Sequence, residues 1–370
     1  MFNYELLRFF WWLLIGLFII GFTITEGFDM GVGMLIRFYC YSNIEKKIMI
    51  NTIAPHWDGN QVWLITVVGI VFTIWPIVYA TIFSGYYLYI ILLLISLFFR
   101  SIGFEFRSKI NNVQWNNLCD WGIFIGSFIS PIIIGIIFGN LLQGIPFYID
   151  VYMRINYIGN VLQFFNIFNF LVIIITLAMF LTQGSTYLQI HTNNNSQIQI
   201  SYITKLTTLI TILIFLLIII LMKKIDGFTI TSIIDQSAHS NILHKEVKYH
   251  AGAWMINYYN YPLLLIVPLL GILLPLFTII FSYTRCNKWA FIFSSFTIIC
   301  IILTLGITIF PFIIPSIKMP NSSLTIWDAT SSRVNLKFML IITIILLSII
   351  FIYTIWCYYN MFNSFVKKNM

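Results

Sequence analysis

Three short runs place polar and charged side chains where almost everything around them is apolar. The first is Thr-Glu-Gly-Phe-Asp-Met-Gly-Val-Gly, residues 25–33. On a helix Glu26 and Asp29 stand at i and i+3 and share a face, while Gly27, Gly31 and Gly33 let a neighbouring backbone come close. Two carboxylates so near each other do not ionise independently, so one of them can carry a proton at neutral pH, which suits proton transfer. The spacing equally suits an ion pair with Arg100 or a hydrogen-bonded packing element, and it leaves both readings open.

The second run is Pro-His-Trp-Asp-Gly-Asn-Gln-Val-Trp, residues 55–63, in which helical spacing puts Asp58 and Gln61 on one face and His56, Asn60 and Trp63 on another. The third, Phe-Phe-Arg-Ser-Ile-Gly-Phe-Glu-Phe-Arg-Ser-Lys at 98–109, carries Arg100 and Glu105, and Asp120 a little further on is expected to join them. A haem held by two histidines needs imidazoles on opposing helices at matching depth, which only His56 and His191 could offer. A single histidine in a polar cluster is more often hydrogen-bonded than ligating, so no haem or metal ligand is assigned. The five cysteines (Cys40, Cys119, Cys286, Cys300, Cys357) contain no CxxC pair and lie in or beside apolar runs, so neither a disulfide framework nor a zinc site is expected.

The elements that position these groups follow from composition. Of 370 residues 60% are hydrophobic and only 9% are charged, whereas soluble domains are about a quarter charged. An ordinary soluble fold is excluded. Spanning a bilayer takes about 20 apolar residues per helix, and runs at about 8–36, 55–75, 78–103, 118–142, 164–190, 203–222, 262–283, 289–314 and 338–360 predict nine transmembrane helices in one all-α integral membrane domain, 1–370. The first run is too long for a signal peptide and is read as a retained span. Thr25-Glu26-Gly27 and Thr182-Gln183-Gly184 fall at similar depths in the first and fifth spans, suggesting two four-helix units, 1–150 and 155–315, followed by a ninth helix at 338–360.

The net charge of +8 comes with no basic block or stripe, so nucleic acid is not an expected partner. The basic residues mark topology instead. With the C-terminal Lys367 and Lys368 in the cytoplasm, Arg37, Lys46, Lys47, Arg100, Arg107, Lys109, Arg285 and Lys288 fall on that side too, and the long 223–261 connection and the N-terminus fall outside. Trp11, Trp12, Trp254, Tyr258, Tyr259 and Tyr261 are expected at the outer headgroup boundary. Arg37 then lies eight residues past Asp29, about 12 Å along a helix, so both carboxylates are intramembrane but nearer the cytoplasm. Ionisable groups at such depth cost about 2.5–3.5 kcal/mol each, and call for a partner, water or a function.

These runs, with Ile-Ala-Pro leading into the second and with Trp-Gly-Ile-Phe-Ile-Gly-Ser-Phe (121–128), Gly-Asn-Leu-Leu-Gln-Gly (139–144), Leu-Thr-Ile-Trp-Asp-Ala-Thr-Ser-Ser (324–332) and Tyr-Thr-Ile-Trp-Cys-Tyr (353–358), resemble subunit II of the cytochrome bd quinol oxidases nearly end to end. The resemblance implies a heterodimer in a bacterial inner membrane that oxidises ubiquinol and reduces O2 to water with cytoplasmic protons. It implies that a haem-bearing subunit I carries haem b and haem d, and it admits a small accessory subunit and a bound quinone. Position by position it implies Glu26, Asp29, Asp58, Arg100 and Glu105 on the proton side and Trp63 near an oxygen path, with Glu26 where the family's aspartate is expected. Two other readings compete. A proton-coupled transporter also carries intramembrane carboxylates and repeats, although such carriers break helices at the midplane and gather polar groups there. A purely structural subunit would have every carboxylate neutralised.

Overall fold

The computed structural model describes residues 3–39, 43–110, 112–159, 166–192 and 194–368. Cys40 and Asn193 lie outside the described residues, as do the side chains of Cys357, Lys367 and Lys368. The helices are α1 (Tyr4–Tyr39), α2 (Asn43–Ile53), α3 (Trp57–Ile74), α4 (Pro76–Gly85), α5 (Tyr87–Phe106), α6 (Val113–Gln143), α7 (Ile167–His191), α8 (Asn194–Met222), α9 (Ile256–Asn260), α10 (Ile266–Tyr283), α11 (Asn287–Ile309) and α12 (Arg333–Lys368). Among the described residues nine helices are long and apolar enough to cross a membrane, as the sequence predicts. A 36-residue helix such as α1 rises about 54 Å, well beyond a hydrocarbon core of about 30 Å.

Several boundaries depart from the apolar runs for local reasons. The run expected at 78–103 is two helices, α4 and α5, which break at Tyr86, and α4 begins ahead of the run because Pro76, which cannot donate to a preceding turn, starts it at its first position. The run expected at 289–314 stops at Ile309, since Pro311 cannot continue the helix, and Phe312–Ile314 forms a strand instead. Residues 164 and 165, expected to open the fifth span, lie outside the described residues. An extra helix, α2, lies between the first two spans and is too polar to cross.

Within the bundle α5 packs on α6, α7 on α8, α10 on α11, and α1 on α7. The α1–α7 crossing depends on glycine: a Cβ on Gly184 would stand 2.5 Å from the Gly31 carbonyl carbon, so backbones meet where side chains would hold them apart. The core therefore sits around α7, two thirds buried (67%) over its most apolar stretch, while α12 at the edge is only 6% buried. The face at the Tyr4 end of α1 carries three antiparallel two-stranded sheets: β1 (Phe147–Ile149) with β2 (Ile155–Tyr157), β3 (Asp226–Ile230) with β4 (Val247–Ala251), and β5 (Phe312–Ile314) with β6 (Leu324–Thr325).

The aromatic belt is only partly where amphipathic rings were expected. Tyr259 and Tyr261 are exposed, but Trp11 is fully buried and donates to the Leu336 carbonyl, and Trp254 and Tyr258 are buried under the β3–β4 cap. A folded cap over the helix ends gives these rings protein in place of headgroups.

Candidate functional site

α1, α3 and α5 bring Glu26, Asp29, Asn60 and Arg100 together in the interior, each essentially inaccessible to solvent. Arg100 holds Glu26 with two parallel bonds, Nη1 to Oε2 at 2.7 Å and Nη2 to Oε1 at 2.9 Å, the fork geometry that guanidinium and carboxylate favour. Asn60 donates from Nδ2 to Asp29 Oδ2 at 2.7 Å. That leaves Asp29 Oδ1 and Arg100 Nε with no hydrogen-bond partner among the described residues. Local structure explains the arrangement: Asn60 lies in the first turn of α3, and Gly126 of α6 is bare where a Cβ would press on Arg100.

Two carboxylates and one guanidinium thus share one sealed site. The ion pair with Arg100 named as an alternative exists, but it takes Glu26 and leaves Asp29 without a cation of its own. Thr25 turns its hydroxyl back to the Gly21 carbonyl.

The other expected members are elsewhere. Asp58 is exposed near the start of α3, on a different face from Asn60 and Trp63, as the spacing required. Glu105 is exposed at the end of α5 and pairs with Lys109 at 3.6 Å. Asp120, expected to join Arg100 and Glu105, is instead clamped by Arg107 at 2.6 Å and Lys46 at 3.0 Å, because α2, packed on α1 and α7, brings Lys46 to it. Exposed pairs contribute about 0–1 kcal/mol. Glu105→Gln should therefore leave the thermal stability of the assembled protein within about 1 kcal/mol of the original, measured by loss of native absorbance on heating; a larger drop would show that Glu105 holds structure.

Trp63 is buried between Phe18 and Phe351, with ring centroids 5.8 and 5.7 Å away, and its ring lies against bare Gly21. A cavity of about 90 Å³ opens on the other side of α1, lined by Ile19 and Thr23 together with Phe138, Met179, Phe215 and Leu305; Trp63 is not in its wall. His56 is buried, and His191 donates from Nδ1 to the Tyr187 carbonyl at 3.1 Å with its ring tilted on Tyr187. Neither histidine lines the cavity. Among the described residues no three His, Cys, Asp or Glu side chains form a metal-holding group.

Sequence reasoning missed two buried cations at the Tyr4 end. Arg8 stacks over the Tyr4 ring at 3.7 Å and donates to Thr330, Ser240 and the carbonyls of Gln236 and Ala238, tying the 231–246 loop to α1. Lys245 meets Asp328 at 2.5 Å, and Asp328 Oδ1 caps the Thr325 amide. Burial holds the Lys245 amine below its usual range and pushes the Asp328 carboxyl above its own, each against the pull of the partner's charge. An arginine four residues into the first helix was the available signal for Arg8. Nothing in the spacing of Lys245 and Asp328 announces their contact.

Fold and site together define a polytopic α-helical membrane protein with charge sealed at bilayer depth. The model of the family described as cytochrome bd terminal oxidase subunit II matches residues 7–361. The cytochrome bd-I ubiquinol oxidase subunit 2 of Escherichia coli (strain K12) is 51% identical over 371 residues, covering 100% of this chain and 98% of its own. A probable cytochrome oxidase subunit 2 of Haemophilus influenzae is 41% identical, covering 100% and 99%. The solved bd oxidase of Geobacillus thermodenitrificans has the same fold, with a TM-score of 0.72 at 17% identity over 96% of this chain and 98% of that one. The chain belongs to the cytochrome bd terminal oxidase subunit II family, and so is a multi-pass membrane subunit of a haem-containing oxidoreductase complex with a partner subunit I.

Proposed function

We propose that this chain scaffolds a haem-bearing subunit I in the bacterial inner membrane, with its N-terminus periplasmic and its C-terminus cytoplasmic, and delivers cytoplasmic protons for the reduction of O2 by ubiquinol. The haems, b and d, would supply electron transfer and oxygen chemistry from the partner. This chain's residues do not fit a haem: the cavity has no histidine in its wall, and His191 is tied to its own helix. The transporter reading has no support among the relatives, which are oxidase subunits.

One observation carries the proton role: Asp29, within the span, has a carboxylate oxygen with no partner among the described residues, beside a Glu26–Arg100 pair in which both Nη bonds are made. Arg100 spends both Nη groups on Glu26, so Asp29 is the member whose carboxylate is open to take up and release a proton. Asn60 fixes one Asp29 oxygen and leaves the other to receive a proton. Asp58 and Glu105, exposed towards the Arg37 end, would gather protons from the aqueous side. Trp63, packed between α1, α3 and α12, would border the oxygen path, and the cavity wall suits an apolar guest such as O2 or the prenyl tail of a quinone.

The test is purification of the tagged chain in mild detergent. A haem-bearing partner, with or without a small accessory subunit, and quinol-dependent oxygen uptake should come with it. A stable preparation without haem would overturn the assignment.

A further inference from the structure

The end of the first span places a cation that the proton route does not use. Arg37 is the last residue of the apolar run, is exposed, and holds its guanidinium 4.7 Å over the ring of Trp121 on α6. Among the described residues it forms no ion pair, and the residue before Trp121 is the Asp120 already clamped by Arg107 and Lys46. Three cations therefore converge on two consecutive residues of α6 that offer one carboxylate. The surplus is positive.

Below the guanidinium an aromatic strip runs into the bilayer. Trp121 meets Phe124 edge-on at 5.8 Å, and Phe124 stacks on Phe128 at 5.7 Å. Trp121 is 44% and Phe128 38% exposed, so the strip faces away from the bundle. From Trp121 to Phe128 the helix rises about 10 Å, which carries the strip from the charged boundary towards the hydrocarbon core.

We propose that this strip is a binding site for an anionic phospholipid, its phosphate on Arg37 and one acyl chain along Trp121, Phe124 and Phe128. The two halves of the site select for the two halves of such a molecule. Excess cation at the boundary favours an anionic headgroup over a zwitterionic one. An aromatic track leading inward from that cation, exposed at Trp121 and Phe128 and half-buried at Phe124 between them, suits an acyl chain and gives a soluble phosphate nothing to hold. Trp121 serves both halves, since its ring face takes the guanidinium by cation–π attraction and its edge begins the track. The face of α6 that carries the strip is distinct from the one that holds Arg100 against Gly126.

The experiment is native mass spectrometry of the purified oxidase complex with phosphatidylglycerol or phosphatidylcholine added. The unaltered complex should retain phosphatidylglycerol preferentially, and Arg37→Gln should weaken that retention about fivefold, the worth of one basic residue at a membrane surface, with phosphatidylcholine unaffected and Arg37→Lys in between. Equal retention in Arg37→Gln would overturn the proposal. So would displacement of the lipid by glycerol phosphate, which would mark a site for the headgroup alone. Should Arg37→Gln fail to assemble, phosphatidylglycerol carrying a photoreactive acyl chain keeps the question open to measurement on the unaltered complex. Labelling within 121–128 is expected; labelling confined elsewhere, or capture of Phe128 by the partner subunit through a photoreactive residue placed there, would refute it.

Discussion

Asp29→Asn should slow steady-state oxygen uptake with excess quinol by about 100-fold, the lower range of what loss of a positioned proton donor or acceptor costs. Asparagine keeps the volume of the side chain. Its carbonyl oxygen can still accept the 2.7 Å bond from Asn60, so the contact between α1 and α3 survives. Removing this carboxylate also leaves the Glu26–Arg100 pair balanced, with no buried charge stranded. Assembly and haem spectra are therefore expected to be normal, and the loss should lie in turnover alone. The measurement is turnover and a haem spectrum on one preparation. Full activity with normal spectra would make Asp29 a packing residue, and joint loss of haem and activity would assign it to folding. Asp58→Asn should lose at least about tenfold by the same criterion, a smaller effect because Asp58 is exposed and water can stand in for it.

How much of this was legible in the sequence depended on whether a feature is local. The nine spans were, because hydrocarbon thickness fixes their length and composition. So was the division of the 55–63 run into two faces, since helical spacing alone separates Asn60 and Trp63 from Asp58; that the Asn60 and Trp63 face turns inward and leaves Asp58 exposed is set by packing on α1 and α12 and was not in the spacing. Pairings across the fold were not legible either. Glu26 and Arg100 are 74 residues apart, as are Lys46 and Asp120, and nothing in their spacing says which acid meets which base. Asp120 was expected with Arg100 because both lie near the same membrane boundary; α2, too polar to register as a span, brings Lys46 to it instead.

The cap at the Tyr4 end escaped for a related reason. The 223–261 connection read from composition is an outer polar loop, yet Lys245 within it and Arg8 of α1 are among the most buried cations of the described residues. Each is buried because it meets acceptors supplied by segments more than 80 residues away, Asp328 for one and, for the other, Thr330, the Ser240 hydroxyl and the carbonyls of Gln236 and Ala238. The same long-range closure draws Trp11 and Trp254 out of the expected headgroup belt.

Arg100→Met should have the largest effect on assembly. The substitution keeps a long apolar stem but removes both Nη donors, so Glu26 loses its 2.7 and 2.9 Å bonds and is left beside Asp29 in a sealed site. Breaking one side of a buried ion pair costs about 3–5 kcal/mol, because the orphaned charge cannot regain water. Two facing carboxylates with no cation put this case at the upper end. That is a large share of a typical folding free energy of 5–15 kcal/mol, so the assembled, haem-containing complex should accumulate poorly and lose its absorbance at lower temperature. Glu26→Gln combined with Arg100→Met returns the site to the single negative charge of the original, which also has two carboxylates against one guanidinium. The double variant should recover most of the lost stability while each partner's loss alone does not add up to it, the coupling expected of residues in direct contact. Heating curves of the four proteins, followed by haem absorbance, decide the matter. Additive losses would mean that Arg100 serves some contact other than Glu26, and recovery of assembly without recovery of turnover would show that the ion pair also sets how Asp29 handles its proton.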